Sequence, residues 1–211
     1  DNAMLPPLYL ITDRRCAHKG FLEEIEAALK GGVRFVQLRE KDLKGRELLE
    51  IARSLRALSA RYGAKLIIND RLDVALLSGA DGVHLSISGI PPASARKLLG
   101  KDALIGVSTH SVKEARKAEA DGASFITFGP VYFTPSKARY GGPVGVTELK
   151  KAVKEVSIPV YALGGINKDN LREAVAAGAS ISLISAIMGS IDPESSAREI
   201  LDELRSASNK Y

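Results

Sequence analysis

The sequence predicts an α/β protein built as a single parallel (β/α)8 barrel, the TIM barrel. Eight short apolar runs, rich in β-branched residues, alternate with helical segments along the chain. Most of these runs are continuous rather than alternating in polarity, which is typical of strands covered on both faces in a parallel sheet. A chain of 211 residues is long enough for eight such units, at the lower size limit of this fold.

The strands and helices are predicted in alternation. The strands are expected at Leu8–Ile11, Val33–Leu38, Lys65–Ile68, Gly82–Leu85, Leu104–Val107, Phe125–Phe128, Pro159–Leu163 and Ile181–Ile184. The helical patterns lie at Leu22–Leu29, Arg46–Ala60, Arg71–Leu77, Val112–Ala120, Leu149–Val156 and Leu171–Ala177. Glycines after several helices are expected to cap them, as at Gly31, Gly79, Gly122 and Gly178. A final helix, Ser195–Ser206, would complete the ring, which favours the closed barrel over an open, doubly wound sheet.

The chain is expected to form one domain. Residues 1–3 stand ahead of Met4 and are interpreted as an expression-tag remnant, so that residues 4–211 make up a single catalytic barrel. The lone Cys16 excludes an internal disulfide and has no partner cluster for a metal site. The sequence is compatible with a homo-oligomer and does not define the oligomeric state.

The composition narrows the class of partner. Hydrophobic residues make up 45% and charged residues 26% of the chain, as in an ordinary globular protein. No apolar run approaches the roughly 20 residues that a membrane span needs, so we expect a cytoplasmic protein with no membrane partner. The net charge of +5 is dispersed among acidic residues on helices and only 5% of residues are aromatic, which disfavours nucleic-acid binding. The excess charge suits a small anionic substrate.

Glycines after the seventh strand indicate a phosphate-binding site. In such barrels the active site lies at the carboxyl ends of the strands, and phosphate is often bound after strands seven and eight. Gly164-Gly165 would let backbone amides approach an anion, and a helix beginning near Asn167 would add its positive end. After strand eight, Ser185 and the amides of Ala186 and Ile187 would share the phosphate. The alternative is a plain turn with a glycine cap.

Cations and carboxylates follow strands two and three. Alternation puts Gln37, Arg39 and Lys41 on one side, with Arg39 and Lys41 at the barrel mouth. Together a guanidinium and an ammonium suit a diphosphate, whereas the alternative is a salt bridge among rim residues. Asn69-Asp70 offers the oxygen ligands that Mg²⁺ prefers, whereas the alternative for Asp70 is the N-cap of the helix that follows.

The three histidines differ in their predicted positions and roles. His84 lies within strand four and points either into the barrel or under the helices, with a structural or a catalytic role. His18 is expected on the surface. His110 follows strand five, where a neutral imidazole could carry protons, or where it could help Ser111 to cap the next helix.

Seven motifs between Tyr9 and about Ile187 resemble, in the same order, those of the thiamine phosphate synthase superfamily. That superfamily also contains the thiazole tautomerases, which aromatise the thiazole phosphate precursor. The motifs are Gln37-Leu38-Arg39-Glu40-Lys41, Ile68-Asn69-Asp70-Arg71, Gly82-Val83-His84-Leu85, Ser108-Thr109-His110-Ser111, Phe128-Gly129-Pro130-Val131, Thr134-Pro135-Ser136-Lys137 and Gly164-Gly165-Ile166.

The resemblance implies a transferase of thiamine biosynthesis. It would join 4-amino-2-methyl-5-(diphosphooxymethyl)pyrimidine to 4-methyl-5-(2-phosphooxyethyl)thiazole and release diphosphate, with carbon–oxygen cleavage before attack by the thiazole nitrogen. By this resemblance, Mg²⁺ held by Asp70 would stabilise the departing diphosphate, together with Arg39, Lys41 and Lys137. The pyrimidine diphosphate is assigned to Gln37, Asn69 and Ser108. The thiazole phosphate is assigned to Thr134, Ser136, Gly165, Ile184 and Ser185.

One departure from the family pattern bears on the metal. Five residues after the strand-four histidine the family has a second Mg²⁺-binding aspartate, whereas this chain has Gly89. Asp70 could still hold Mg²⁺ with water and phosphate oxygens. The missing carboxylate leaves two alternatives open: a thiazole tautomerase, in which His110 would carry the proton, and a non-catalytic regulator that binds phosphorylated ligands.

Overall fold

The computed structural model describes residues 4–134 and 142–208, and within them the predicted barrel is confirmed. All the strand pairings are parallel, and the sheet closes because the first strand pairs with the last. The strands are β1 Leu8–Ile11, β2 Phe35–Leu38, β3 Lys65–Asn69, β4 Gly82–Ser86, β5 Leu104–Thr109, β6 Phe125–Phe128, β7 Val160–Ala162 and β8 Ser180–Leu183.

The helices follow the strands around the outside of the barrel. They are α1 Phe21–Lys30, α2 Gly45–Arg61, α3 Leu72–Ser78, α4 Pro92–Leu99, α5 Val112–Ala120, α6 Gly145–Glu155, α7 Leu171–Ala176, α8 Ser185–Met188 and α9 Pro193–Ser208. The last helix packs against α1 and α7 and so completes the ring, as expected. In the described ranges, none of the helices combines the length and apolarity needed to cross a membrane.

Two helices were not expected from the sequence. The α4 helix buries only Pro92 and Ala95 among its eight residues, so it lacks the apolar stripe by which a helix is recognised. The α8 helix has only four residues and begins directly after β8.

The predicted β2 began too early, because Val33 N donates to Ala28 O and still belongs to the turn that leaves α1.

Alternation along each strand divides the core into two parts. Residues such as Leu8 and Leu10 point outward and pack under the helices, whereas Tyr9 and Ile11 point into the barrel. Aromatic rings fill much of the interior: the Tyr9 and Phe35 rings stack with their centroids 4.3 Å apart, and Phe125 meets Tyr9 edge-on at 5.3 Å. The barrel interior is therefore packed, and ligands are confined to its mouth.

Candidate active site

The predicted site residues that the structure describes lie at, or just beyond, the carboxyl ends of the strands. Because the strands are parallel, these ends form one mouth of the barrel. Ser136 and Lys137 lie outside the described residues, and their predicted roles remain predictions. Thr134 is described and half-buried after β6.

Thr12 and Glu40, which the sequence reasoning did not single out, fix the backbone that carries Arg39. The Glu40 carboxylate is almost fully buried and accepts hydrogen bonds from Thr12 Oγ1 at 2.8 Å and from Arg14 N at 2.8 Å. Thr12 Oγ1 in turn accepts from Arg39 N at 3.0 Å. The loops after β1 and β2 are therefore joined through a buried carboxylate. The signal in the sequence that could have identified Glu40 is its position between two predicted ligands, Arg39 and Lys41.

In the described part of the chain, the two cations at the mouth form no ion pair. Arg39 is half-buried, and burial lowers its pKa, while Lys41 is exposed. Within residues 4–134 and 142–208, neither side chain lies within ion-pair distance of a carboxylate, so the predicted alternative of a rim salt bridge is not found there. Arg14 instead pairs with Asp42, through two hydrogen bonds of 2.6 Å. Arg39 and Lys41 therefore remain available for an anion.

Asp70, directly after β3, has an unusual backbone conformation. Its φ is +63°, in the left-handed region that costs most residues free energy, and its N–H donates to His84 O at 2.9 Å. The alternative that Asp70 caps the following helix is wrong: α3 begins at Leu72, and its N-cap is Arg71, with no side-chain capping bond. The backbone turns at Asp70 and leaves its carboxylate exposed.

A cavity of about 260 Å³ lies next to these groups. Its lining includes Lys41, Asn69 and Asp70. No group of three or more His, Cys, Asp or Glu side chains that could hold a metal occurs in the described part of the chain. One carboxylate suffices for Mg²⁺ when phosphate oxygens and water complete its shell, so Asp70 and its neighbours fit a metal that arrives with a diphosphate.

The glycine pair after β7 has the geometry of a phosphate-binding loop. Gly164 and Gly165 have φ values of +97° and +66°. A Cβ on Gly164 would lie 2.6 Å from Pro130 Cα, and one on Gly165 would lie 2.7 Å from Phe133 O, so only glycine fits at either position. The N–H groups of both glycines have no hydrogen-bond acceptor among residues 4–134 and 142–208. Among the described residues, two amides at the mouth are thus without an acceptor.

The helix expected near Asn167 begins later. A turn separates the glycines from α7. In this turn Asn167 Oδ1 accepts from Asp169 N and Asn170 Oδ1 accepts from Asn167 N, both at 2.9 Å. Asparagine side chains favour such turns because they bond nearby backbone amides in place of a helical partner. The helix itself starts at Leu171.

The end of β8 adjoins the glycine pair, because β7 and β8 are neighbours in the barrel. Ser185 is exposed and begins α8, and Ile184 packs partly against the inner core. The amides of Ser185 and Ala186 have no acceptor in the described ranges. The expected contribution of Ile187 is wrong, because its N–H donates to Ile184 O at 3.3 Å within the turn.

Inside the barrel, His84 resolves a question that the sequence left open: its ring points inward. His84 Nδ1 lies 3.2 Å from Tyr9 OH, and His84 Nε2 lies 2.9 Å from Ser108 Oγ. Gln37 Nε2 donates to Tyr9 OH at 2.9 Å. Burial, reinforced by the charge of Arg39, lowers the pKa of His84 to about 3, so the ring is neutral. The hydrogen bonds of Tyr9 and His84 therefore link Gln37 to Ser108.

The other two histidines lie at the surface. His110 is exposed, and its Nδ1 lies 3.0 Å from Glu114 Oε2. Ser111 caps α5 by accepting from Glu114 N, as the capping alternative expected. The proton-carrying role of His110 stays a prediction. His18 is exposed as expected, with its Nε2 3.0 Å from Gly189 O.

A larger cavity, of about 430 Å³, lies at the opposite end of the barrel. It is lined by residues that precede β1 and β2 and by the end of α9, among them Pro6, Arg34 and Leu204. Since catalytic groups in this fold stand at the carboxyl ends of the strands, the smaller cavity beside Asp70 is the candidate site.

Comparison with known proteins gives concordant results. A family model described as thiamine monophosphate synthase matches residues 8–187. A Geobacter sulfurreducens protein named "Putative thiamine-phosphate synthase" is 59% identical over 196 residues, covering 92% of each chain. A thiamine-phosphate synthase of Chlorobium phaeobacteroides is 44% identical, over 95% of this chain and 97% of its own. The solved thiamine phosphate pyrophosphorylase of Pyrococcus furiosus superposes with a TM-score of 0.86 at 40% identity, covering 95% of this chain and 96% of that one.

Proposed function

The chain belongs to the thiamine monophosphate synthase family, and we propose from this premise that it is a thiamine-phosphate synthase. It would couple the aminopyrimidine methyl diphosphate to the thiazole ethyl phosphate and release diphosphate. The observation that carries this proposal is a pair of cations, Arg39 and Lys41, without an ion-pair partner among the described residues, with Lys41 lining the same cavity as the exposed Asp70. A diphosphate with Mg²⁺ matches that set of charges.

The reaction breaks the bond between the pyrimidine methylene carbon and a diphosphate oxygen. The diphosphate leaves with the bonding electron pair, and the thiazole nitrogen then gives its lone pair to the methylene carbon. No proton has to move in either step. The protein therefore accelerates the reaction mainly by stabilising negative charge on the leaving group and by holding the nitrogen in line.

The leaving group is assigned to Arg39, Lys41 and Lys137. Arg39 offers a planar set of donors on a backbone that is fixed by the bond from Arg39 N to Thr12 Oγ1, and Lys41 adds a point charge at the cavity. Bound Mg²⁺ would neutralise diphosphate oxygens and so make them a better leaving group. Asp70 would hold the ion, with Asn69 beside it. Lys137 lies outside the described residues and enters by the family resemblance.

The two substrates are assigned to different parts of the mouth. The pyrimidine diphosphate would be held by Gln37, Asn69 and Ser108, whose side chains come from β2, β3 and β5. The thiazole phosphate would lie across the barrel, on the free amides of the glycine pair and of α8. The residues assigned to it are Thr134, Ser136, Gly165, Ile184 and Ser185.

A second activity is favoured by one observation, the glycine at position 89. A chain without the second metal-binding aspartate fits a thiazole tautomerase, which expels no diphosphate. In that reaction His110 would move the proton, and its exposure at the rim and its contact with Glu114 are compatible with that role.

The cytoplasmic location and a homo-oligomeric state stay predictions.

One experiment separates the two activities. Purified chain is given both phosphorylated substrates, or the tautomerase precursor, with Mg²⁺ and with excess chelator. We expect coupling that requires Mg²⁺ and releases diphosphate. Coupling that survives full chelation would contradict the metal-assisted mechanism. Aromatisation without coupling, lost in His110→Ala, would establish the tautomerase instead.

A further inference from the structure

Four side chains form a hydrogen-bonded chain inside the barrel, and we call it the inner relay: Gln37, Tyr9, His84 and Ser108. Its three links measure 2.9 Å from Gln37 Nε2 to Tyr9 OH, 3.2 Å from Tyr9 OH to His84 Nδ1, and 2.9 Å from His84 Nε2 to Ser108 Oγ. Tyr9 and His84 are buried, so neither exchanges these partners for water. The relay thus connects two side chains assigned to the pyrimidine through two that are not.

With the Gln37 amide as the donor to Tyr9, the donors and acceptors along the relay run in one direction. Tyr9 has a single O–H, and its oxygen already accepts from the Gln37 amide. Its proton therefore points to His84 Nδ1, which must carry the lone pair. The ring proton then stands on Nε2 and donates to Ser108 Oγ, with Thr127 Oγ1 as a more distant neighbour at 3.5 Å.

This direction fixes what the relay presents at the mouth. Because Ser108 Oγ accepts from His84, its own proton is left to be donated to a ligand. Because a Gln37 N–H is committed to Tyr9, its Oε1 is left as an acceptor, with no partner among residues 4–134 and 142–208. The relay therefore offers one donor from β5 and one acceptor from β2, two strands that are separated in the barrel by β3 and β4.

Packing holds the imidazole in place independently of these bonds. Gly106, on the neighbouring strand, makes room for the ring, since a Cβ there would lie 2.6 Å from His84 Nδ1 and 2.4 Å from Phe125 Cζ. Tyr9 is clamped by stacking on Phe35, with the ring centroids 4.3 Å apart. Both rings are thus locked in orientation, as a fixed hydrogen-bond polarity requires.

We propose that Tyr9 and His84 are positioning residues that fix this polarity and so select an aminopyrimidine over its oxo counterpart. An aminopyrimidine presents a ring-nitrogen acceptor next to an exocyclic amino donor, which complements the Ser108 donor and the Gln37 acceptor. The oxo form presents the reverse pattern and would set donor against donor and acceptor against acceptor. The inference rests on the proposed function for the identity of the ligand.

The relay is testable without any substrate. The chain has three histidines, so ¹⁵N-labelled histidine gives a simple spectrum in which the ring nitrogens report the tautomer. We expect His84 as the Nε2–H tautomer in the wild type and a mixture of tautomers in Tyr9→Phe. Tyr161→Phe is the matched control, because Tyr161 belongs to the same aromatic cluster but donates to Pro6 O at 2.6 Å. Its His84 signals should match the wild type.

Steady-state kinetics then measure the selection. In Tyr9→Phe we expect the KM of the pyrimidine diphosphate to rise about tenfold, the effect of roughly one neutral hydrogen bond, with the KM of the thiazole phosphate unchanged. The preference for the amino substrate over its oxo analogue should fall by a similar factor. Tyr161→Phe should keep both KM values and the preference. General damage to the barrel would instead lower kcat without this split.

Calorimetric binding of the two pyrimidine phosphates separates this inference from the proposed function. A wild type that prefers the amino form but does not couple the substrates overturns the proposed synthase and supports the relay. Equal binding of both forms overturns the relay inference. So does a wild-type spectrum with the proton on His84 Nδ1, a measurement that stands even where Tyr9→Phe does not fold.

Discussion

Replacing Gly164 with alanine tests the phosphate-binding loop most directly. The added Cβ would lie 2.6 Å from both Cα and Cβ of Pro130, and the residue would have to keep a φ of +97°. The loop must therefore move away from the β6 loop, and the free amides of the glycine pair move with it. We expect Gly164→Ala to lose affinity for the thiazole phosphate as well as stability.

The magnitude follows from two separate costs. A left-handed φ on a residue other than glycine costs on the order of 1–3 kcal/mol of folding free energy. Each hydrogen bond to a charged phosphate is worth about 1.5–3 kcal/mol, so one displaced amide weakens binding by roughly 10- to 100-fold. Only the second cost depends on where the glycine stands in the barrel.

Gly100→Ala provides the matched control. Gly100 has a φ of +99°, but a Cβ there meets nothing within 4 Å, and it follows α4 at the other end of the barrel. Urea denaturation should show both variants destabilised, whereas calorimetry with the thiazole phosphate should show weaker binding for Gly164→Ala alone. Wild-type affinity in a folded Gly164→Ala protein would refute the assignment of the phosphate to this loop.

Three further predictions concern the charges of the site. Arg39→Ala or Lys41→Ala should lower coupling about a hundredfold while thiazole phosphate affinity is kept, and equal losses would show that the substrates are assigned to the wrong halves of the mouth. Gly89→Asp, whose Cβ has the flexible Ser86 Oγ as its nearest neighbour at 2.9 Å, should lower the Mg²⁺ needed for half-maximal coupling and tighten Mg²⁺ binding in calorimetry, whereas no change would place the position away from the metal. The pKa of His84, about 3 because of burial, lies below its unfolded value near 6.5, so the unfolded chain binds more protons and the free energy of unfolding should fall as pH drops from about 6.5 towards 3. Urea titrations at pH 7 and pH 5 should show this drop, and an equal drop in His84→Gln would count against it.

The strands could be located from the sequence because of how a barrel buries them. Both faces of each strand are covered, so each appears as an apolar run, and every predicted strand was found with small shifts at its ends. A helix such as α4, which buries only Pro92 and Ala95, leaves no comparable pattern. Closure of the sheet was only favoured by the sequence, and it was established by the pairing of Leu8 with Ile181.

The site could be predicted only as far as local spacing reaches. Alternation put Gln37, Arg39 and Lys41 on one side, with Arg39 and Lys41 at the mouth, and the glycine pair indicated a loop in which backbone amides could approach an anion. The sequence did not reveal that Asp70 itself adopts a left-handed conformation instead of capping α3. Nor did it single out Glu40, whose buried partners come from another loop.

What the sequence alone determined is therefore the succession of strands and helices and the kinds of residue at each strand end. The tertiary structure decided which of those residues are partners. His84 and Tyr9 are separated by 75 positions in sequence, yet they share a hydrogen bond because closing the sheet turns inward-facing residues of different strands towards one interior. Periodicity tells on which side of its own strand a residue lies. The groups that it meets there depend on how the strands are arranged around the barrel.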